Sequence, residues 1–249
     1  MRNPLFSLIQ TNARKGSFRA EASDGGSTLY LYDMIVGSDI EAEWWGGVSP
    51  MGFRRALEAT SGPVTLRINS PGGDVFAGRA IAAAVAEHRE PVFVVVDGYA
   101  ASASSLVAIA GARLAMQPGT FLMIHNSWTL GIGNAAEFTR IATLLDKVDR
   151  TIAESYAAKS GHEDVDAFLA MMAEETWFTP AEAVEIGLAD EAIAEATSDR
   201  EAPAAAWNLA AYAKAPAASK APPATTGAGH LAAAHRRRQA EARVGFRFA

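Results

Sequence analysis

The run Val92-Phe93-Val94-Val95-Val96 is followed by Asp97-Gly98-Tyr99-Ala100-Ala101-Ser102-Ala103-Ser104 and then by Leu106-Val107-Ala108-Ile109-Ala110. Four valines in five positions leave no polar alternation, the pattern of a buried strand rather than a half-exposed one. The second apolar run reads as the start of a buried helix. A strand expected to break at Gly98 and pass into a helix is the repeating unit of an α/β fold. The junction also sets Ser102 among small residues at a tight turn, where another chain can approach its hydroxyl. The same composition would equally serve a closely packed turn with no chemistry.

Other segments repeat this alternation. Leu29 to Ile35 reads as a first strand. Ser49-Pro50 supplies an N-cap with proline at N1 for a helix to about Thr60. Then come strand Val64 to Ile68, helix Val75 to His88 and, after the Ser102 junction, strand Phe121 to Ile124. A long helix is expected from about Ala135 to Lys159, with Phe138, Ile141, Leu145, Val148, Ile152 and Tyr156 at helical spacing and Gly161 as its stop. Thr179-Pro180-Ala181-Glu182 is a capping box opening a helix that Gly187 ends. Strands alternating with helices argue for a parallel sheet.

A serine hydroxyl is a weak nucleophile at neutral pH and needs a base titrating near 6.5. Of five histidines, His88 ends an amphipathic helix, His162 follows a helix-stop glycine, and His230 and His235 lie in a low-complexity tail. His125 ends a buried strand and is the best base. Asn69-Ser70-Pro71-Gly72-Gly73-Asp74 closes another strand with two glycines. Their backbone N–H groups can face a ligand oxygen, as an oxyanion hole requires. Read alone, that segment is also an ordinary turn with a helix cap.

Taken in order, Asn69-Ser70-Pro71-Gly72-Gly73, Gly98-Tyr99-Ala100-Ala101-Ser102, Met123-Ile124-His125-Asn126 and Pro180 to Asp190 resemble the Clp serine peptidases over roughly Leu29 to Ala192. Trp44-Trp45-Gly46-Gly47-Val48-Ser49, Ser70-Pro71-Gly72-Gly73-Asp74-Val75-Phe76, His125-Asn126-Ser127-Trp128 and Glu175-Thr176-Trp177-Phe178-Thr179 look closer to the Clp-like phage head maturation (prohead) proteases. The Gln-Pro that usually follows the histidine of housekeeping Clp enzymes is absent. The resemblance implies a Clp/crotonase-like α/β spiral of repeated ββα units with a long handle-type helix. It implies Ser102 as nucleophile, His125 as base, and the N–H groups of Gly73 and Ala103 as oxyanion hole. An extended substrate strand would lie along Gly72-Gly73. Where housekeeping members carry an Asp as third member, this chain has Glu175, with Glu174 as the neighbouring alternative. A homo-oligomer is implied, acting without metal or organic cofactor on scaffold and capsid proteins.

Rival readings are a housekeeping proteolytic subunit working with an unfoldase ATPase, a crotonase-type acyl-CoA enzyme, and an inactive scaffold-binding module. A Ser–Lys peptidase is disfavoured, because the body offers only Lys15, Lys147 and Lys159, on the N-terminal arm and the long helix.

At 249 residues and 49% hydrophobic the chain can bury a full core. It has no cysteine, hence no disulfide and no thiolate chemistry. The expected organisation is an N-terminal arm at 1–20, a peptidase domain at 21–195 and a tail at 196–249. From Ala196 onward eight Lys/Arg oppose three Asp/Glu, whereas the whole chain carries 22 against 28. The tail is thus basic on an acidic body, suited to docking or solubility, and nucleic-acid contact is the lesser reading. Lys214 to Gly229 reads as a linker, and His235-Arg236-Arg237-Arg238 with Phe246-Arg247-Phe248 forms a basic-aromatic end. With no signal-type apolar segment and no run of about 18 apolar residues, a cytoplasmic chain is expected, inside an assembling head under the phage reading.

Overall fold

A computed structural model describes residues 4–23, 25–162, 164–194 and 207–216. In chain order the elements are α1 (Pro4–Asn12), β1 (Ser17–Ser23), β2 (Gly26–Tyr32), α2 (Asp39–Trp45), α3 (Pro50–Glu58), β3 (Val64–Ser70), α4 (Val75–Ala86) and β4 (Val92–Ala101). They continue with α5 (Ala103–Ile109), β5 (Arg113–Met116), β6 (Phe121–Ile124), α6 (Ala135–Ser160), α7 (Val165–Ala173), β7 (Thr176–Phe178), α8 (Pro180–Glu185) and β8 (Glu191–Ala192). The sheet runs β1-β2-β3-β4-β5-β8, and β6 branches from β4 to carry β7. Among the described residues only β1/β2 and β6/β7 pair antiparallel, and the other strand pairs are parallel. This is a mixed α/β fold with the long helix that the periodicity predicts.

Helix boundaries follow from local chemistry. Ser49 Oγ accepts from Gly52 N at 2.9 Å, and Asp74 Oδ1 accepts from Ala77 N at 2.7 Å, each satisfying an orphan donor of a first turn. Asn134 with Glu137 and Thr179 with Glu182 form complete capping boxes for α6 and α8. Gly161 closes α6 in the left-handed conformation, φ 72°.

Gly98 does not end the strand. β4 continues to Ala101 because it changes partner there: Phe93 to Val96 pair with β5, and Tyr99 to Ala101 pair with β6. The register with β3 shifts between Ile68 and Ser70, and Tyr99 N donates to the Asn69 side chain at 3.2 Å. A Cβ at residue 98 would stand 2.4 Å from that side-chain oxygen, so the fork needs glycine.

Leu66, Ile68, Val94 and Val96 form the sheet's buried face, packed with Phe53 of α3, Ile81 of α4, Tyr156 of α6 and Phe168 of α7. One packed unit runs Met1–Ala215, past the boundary expected at 195. Trp207, Leu209 and Tyr212 are buried in a second apolar cluster with Leu8, Met34, Ala101 and Met123. Alanine and proline dominate the average composition around them, and three large apolar side chains within six residues outweigh it. The N-terminal arm likewise joins the body through Leu8 and through β1, which spans its expected end at residue 20. The basic-aromatic end lies outside the described residues. Trp44 and Trp45 are 65% and 41% exposed and take no part in the core.

Candidate active site

Ser102 follows the last residue of β4 and precedes α5, with φ 55° and ψ −126°. A non-glycine residue at such angles is strained by about 1–3 kcal/mol, so its surroundings must hold it. Ser102 N donates to Met123 O at 2.9 Å. Its carbonyl accepts from Ser105 N at 2.9 Å and Ser105 Oγ at 2.6 Å, and Ser105 Oγ is in turn 2.7 Å from the Tyr156 hydroxyl. Ser104 Oγ donates to Ala101 O at 2.8 Å and to Ser70 O at 3.1 Å. The flanking serines thus fasten the turn. Ser102 itself makes no side-chain cap, which leaves its Oγ for other work.

That Oγ lies 2.7 Å from His125 Nε2. His125 directly follows β6, whose pairing with β4 brings the two residues together. The loop beyond is pinned where Asn126 N donates to Met172 O at 3.2 Å and Ser127 N donates to the buried Asp149 carboxylate at 2.6 Å. Burial pushes the imidazole down to about 4, against the opposing pull of Glu175's charge. Near neutral pH it is therefore uncharged and able to accept the serine proton.

Gly72 (φ 88°) and Gly73 (φ 147°) are tied down where Ile35 N donates to Gly72 O at 2.9 Å and Asp74 N donates to Ile35 O at 3.0 Å. A Cβ on Gly73 would stand 2.0 Å from Ile35 O, and one on Gly72 would stand 2.8 Å from Ser102 Cβ and 3.1 Å from Ala103 N. The glycine loop therefore backs directly onto the serine turn. Ala103, as first residue of α5, has no intrahelical acceptor for its N–H. Among the described residues Gly73 N donates to no backbone carbonyl.

Glu175 is placed differently from the expectation of an imidazole-orienting acid. Its carboxylate accepts from Trp177 Nε1 at 3.1 Å, Ala213 N at 2.7 Å and Lys214 N at 2.6 Å. Among the described residues no hydrogen bond joins it to His125, which feels only its charge. Glu174 is ion-paired with Lys214 at 2.6 Å. The structure thus unites Ser102, His125 and the glycine loop, and gives both glutamates to residues 213–214.

Ser102, Ala103, Gly73 and His125 open on a cleft of about 580 Å³. Leu106, Trp128, Leu145 and Tyr156 also line it. Tyr212 went unforeseen: its ring stands edge-on to His125 at 5.3 Å, and its hydroxyl donates to Pro71 O. Its only sequence signal is a tyrosine where alanine and proline prevail. Among the described residues no three His, Cys, Asp or Glu side chains are grouped to hold a metal ion, and no helix is long and apolar enough to cross a membrane.

Comparison with known proteins shows the family. The family model described as Clp protease matches residues 53–196. The ATP-dependent Clp protease proteolytic subunit 3 of Rhodococcus jostii is 32% identical over 52% of this chain and 65% of its own length. The proteolytic subunit of Bacteroides thetaiotaomicron is 30% identical over 52% and 60%, and proteolytic subunit 1 of Protochlamydia amoebophila 33% over 53% and 65%. The match spans less than two thirds of each relative. With its family-model match covering more than half of its length, and with the elements that hold Ser102 and His125 inside that match, the chain belongs to the Clp protease family.

Proposed function

We propose that this chain is a serine endopeptidase in which Ser102 is the nucleophile and His125 the general base. The observation that carries the reading is the 2.7 Å contact between Ser102 Oγ and a neutral, half-buried imidazole, at a strained turn that the core enforces. Ser102 Oγ attacks the peptide carbonyl carbon as His125 Nε2 takes its proton, and the C=O pair moves onto oxygen. The N–H groups of Gly73 and Ala103 receive that oxyanion. Collapse breaks the C–N bond, His125 returns the proton to the leaving amine, and water repeats the sequence on the acyl-enzyme. Glu175 supplies negative charge that favours the imidazolium. The apolar wall of the cleft suits an apolar substrate side chain.

For the biological substrate, the tryptophan-rich Trp44 to Ser49 segment and His125-Asn126-Ser127-Trp128 support cleavage of scaffold and capsid proteins during phage head maturation by a homo-oligomer. A second reading rests on the relatives' names, which favour a proteolytic subunit working with an unfoldase ATPase. Mass spectrometry of a scaffold protein incubated with the chain alone separates the two. Discrete ATP-independent fragments support head maturation, and degradation only with an unfoldase and ATP supports the second. A folded chain that cuts neither a scaffold protein nor a small peptide refutes the peptidase reading.

A further inference from the structure

Resting on the peptidase reading, we propose that residues 207–216 form a built-in latch that restrains the site by holding Glu175 away from His125. Three sets of contacts lie along one short segment. Trp207 Nε1 donates to Asn69 O at 3.0 Å, and the Tyr212 hydroxyl donates to Pro71 O. Asn208 is paired both ways with Asn12, at 2.8 and 2.9 Å. Ala213 and Lys214 direct their N–H groups onto both oxygens of Glu175, while the Lys214 ammonium holds Glu174.

The Asn12–Asn208 pair anchors the segment to α1, and the other two sets of contacts bear on the site. The Asn69 and Pro71 carbonyls lead into the Gly72-Gly73 loop, where an extended substrate would pair, and the Trp207 and Tyr212 side chains bonded to them stand on the approach to that loop. A carboxylate already accepting two backbone N–H groups and an indole N–H has little capacity left for an imidazole. Tyr212, edge-on to His125, helps keep the ring dry and uncharged.

The segment is also built to release. Its apolar anchors Trp207, Leu209 and Tyr212 sit in a cluster separate from the main core, so letting go need not open the sheet. The Lys214–Glu174 pair is solvent-exposed and adds little net stability. A protein substrate that occupies the approach to the Gly72-Gly73 loop would displace the latch and free Glu175 toward the imidazole. The site would thus be activated by the strand it cleaves.

Two full-length variants test this, read by the rate at which a fluorophosphonate labels Ser102. Tyr212→Ala removes the anchor beside the imidazole. Lys214→Glu sets like charges opposite Glu174 and Glu175 at an exposed position, and so opens the latch without disturbing packing. Labelling should quicken by about fivefold or more in folded variants, because a larger fraction of molecules is competent. Unchanged or slower labelling in both folded variants overturns the latch; slower labelling would make Tyr212 a positioning residue instead. A second readout is NMR titration of His125 in Ser102→Ala, with and without Lys214→Glu. An opened latch should move the imidazole upward toward its ordinary value, about 6.5. If no variant labels, the peptidase reading fails and the titration alone judges the latch: upward movement upholds it and no movement overturns it.

Discussion

Ser102 and Glu175 share an uncommon backbone state, with φ at 55° and 51°, yet they are held in opposite ways. Glu175 follows the last turn of α7, where its N–H donates to Met172 O at 3.0 Å. A left-handed residue there is an ordinary helix ending, for which glycine or asparagine would be commoner. Ser102 has no such local excuse. Its ψ of −126° lies outside the left-handed helical basin, and it is imposed from the core by the bond Ser102 N donates to Met123 O, by those its carbonyl accepts from Ser105, and by the Ser104 hydroxyl on the adjoining Ala101 O. The difference teaches that positive φ by itself does not mark a reactive residue. What singles out a candidate nucleophile is strain that the surrounding core maintains, combined with a side chain that faces a neutral base. Ser102 meets both conditions; the Glu175 carboxylate is committed to residues 213–214.

That contrast orders the expected effects. Ser102→Ala should keep the fold, because it removes one oxygen from a turn already rich in alanine, and should lower kcat by at least about a thousandfold in a peptide-hydrolysis assay. An active, folded Ser102→Ala chain would break the comparison at its stronger end. Gly73→Ala comes next. Its Cβ would meet Ile35 O, so the loop must move and an oxyanion donor with it, costing about a hundredfold in kcat beside a measurable fall in Tm.

Glu175→Gln should cost less, about tenfold in kcat, since it removes the charge that favours the imidazolium while leaving the Ser102–His125 contact in place. Glu174→Gln is the matched control and should stay within about twofold, because an exposed pair contributes little. A larger loss from Glu174 than from Glu175 would reverse the choice of acid.

The pH profile sharpens the same point. In the proposed mechanism the neutral imidazole is the base and burial favours that form, so kcat/KM should hold as pH falls below the ordinary histidine range and drop through about 4. Stability carries the matching sign. The unfolded chain's histidine protonates near 6.5 while the folded one does not, so this residue's stabilising contribution is present above about 6.5 and is lost as pH falls from there toward 4. A kinetic midpoint near 6.5 in the parent chain would mean that the imidazole is wetter than the packing implies. The smallest effect is expected from ending the chain at Pro216, which should leave peptide turnover within about twofold because the packed unit stops at Ala215.

Much of the fold was legible because its signals are local. The capping residues Ser49 and Thr179, the stop at Gly161 and the valine run of β4 each act within a few residues of themselves. Ser102, His125 and Gly72-Gly73 were legible because each sits at the end of a strand, where short apolar runs mark the position. Other features were hidden for physical reasons. The strands β5, β7 and β8 have four, three and two residues, too few for any period to emerge. Gly98 read as a break because a strand that changes partner and a strand that ends look alike in one dimension. The placement of Glu175 depends on Ala213 and Lys214, 38 and 39 residues away, and their contribution is backbone N–H, which no residue type announces.

In the proposed mechanism one strained serine, activated by one histidine, does the chemistry. Fluorophosphonate labelling of the full chain, followed by intact-mass measurement and peptide mapping, tests it most directly. The expected result is a single adduct on Ser102, absent in Ser102→Ala and strongly slowed in His125→Ala. An adduct on Ser104 or Ser105, or peptide hydrolysis that survives with Ser102 unlabelled, would contradict it.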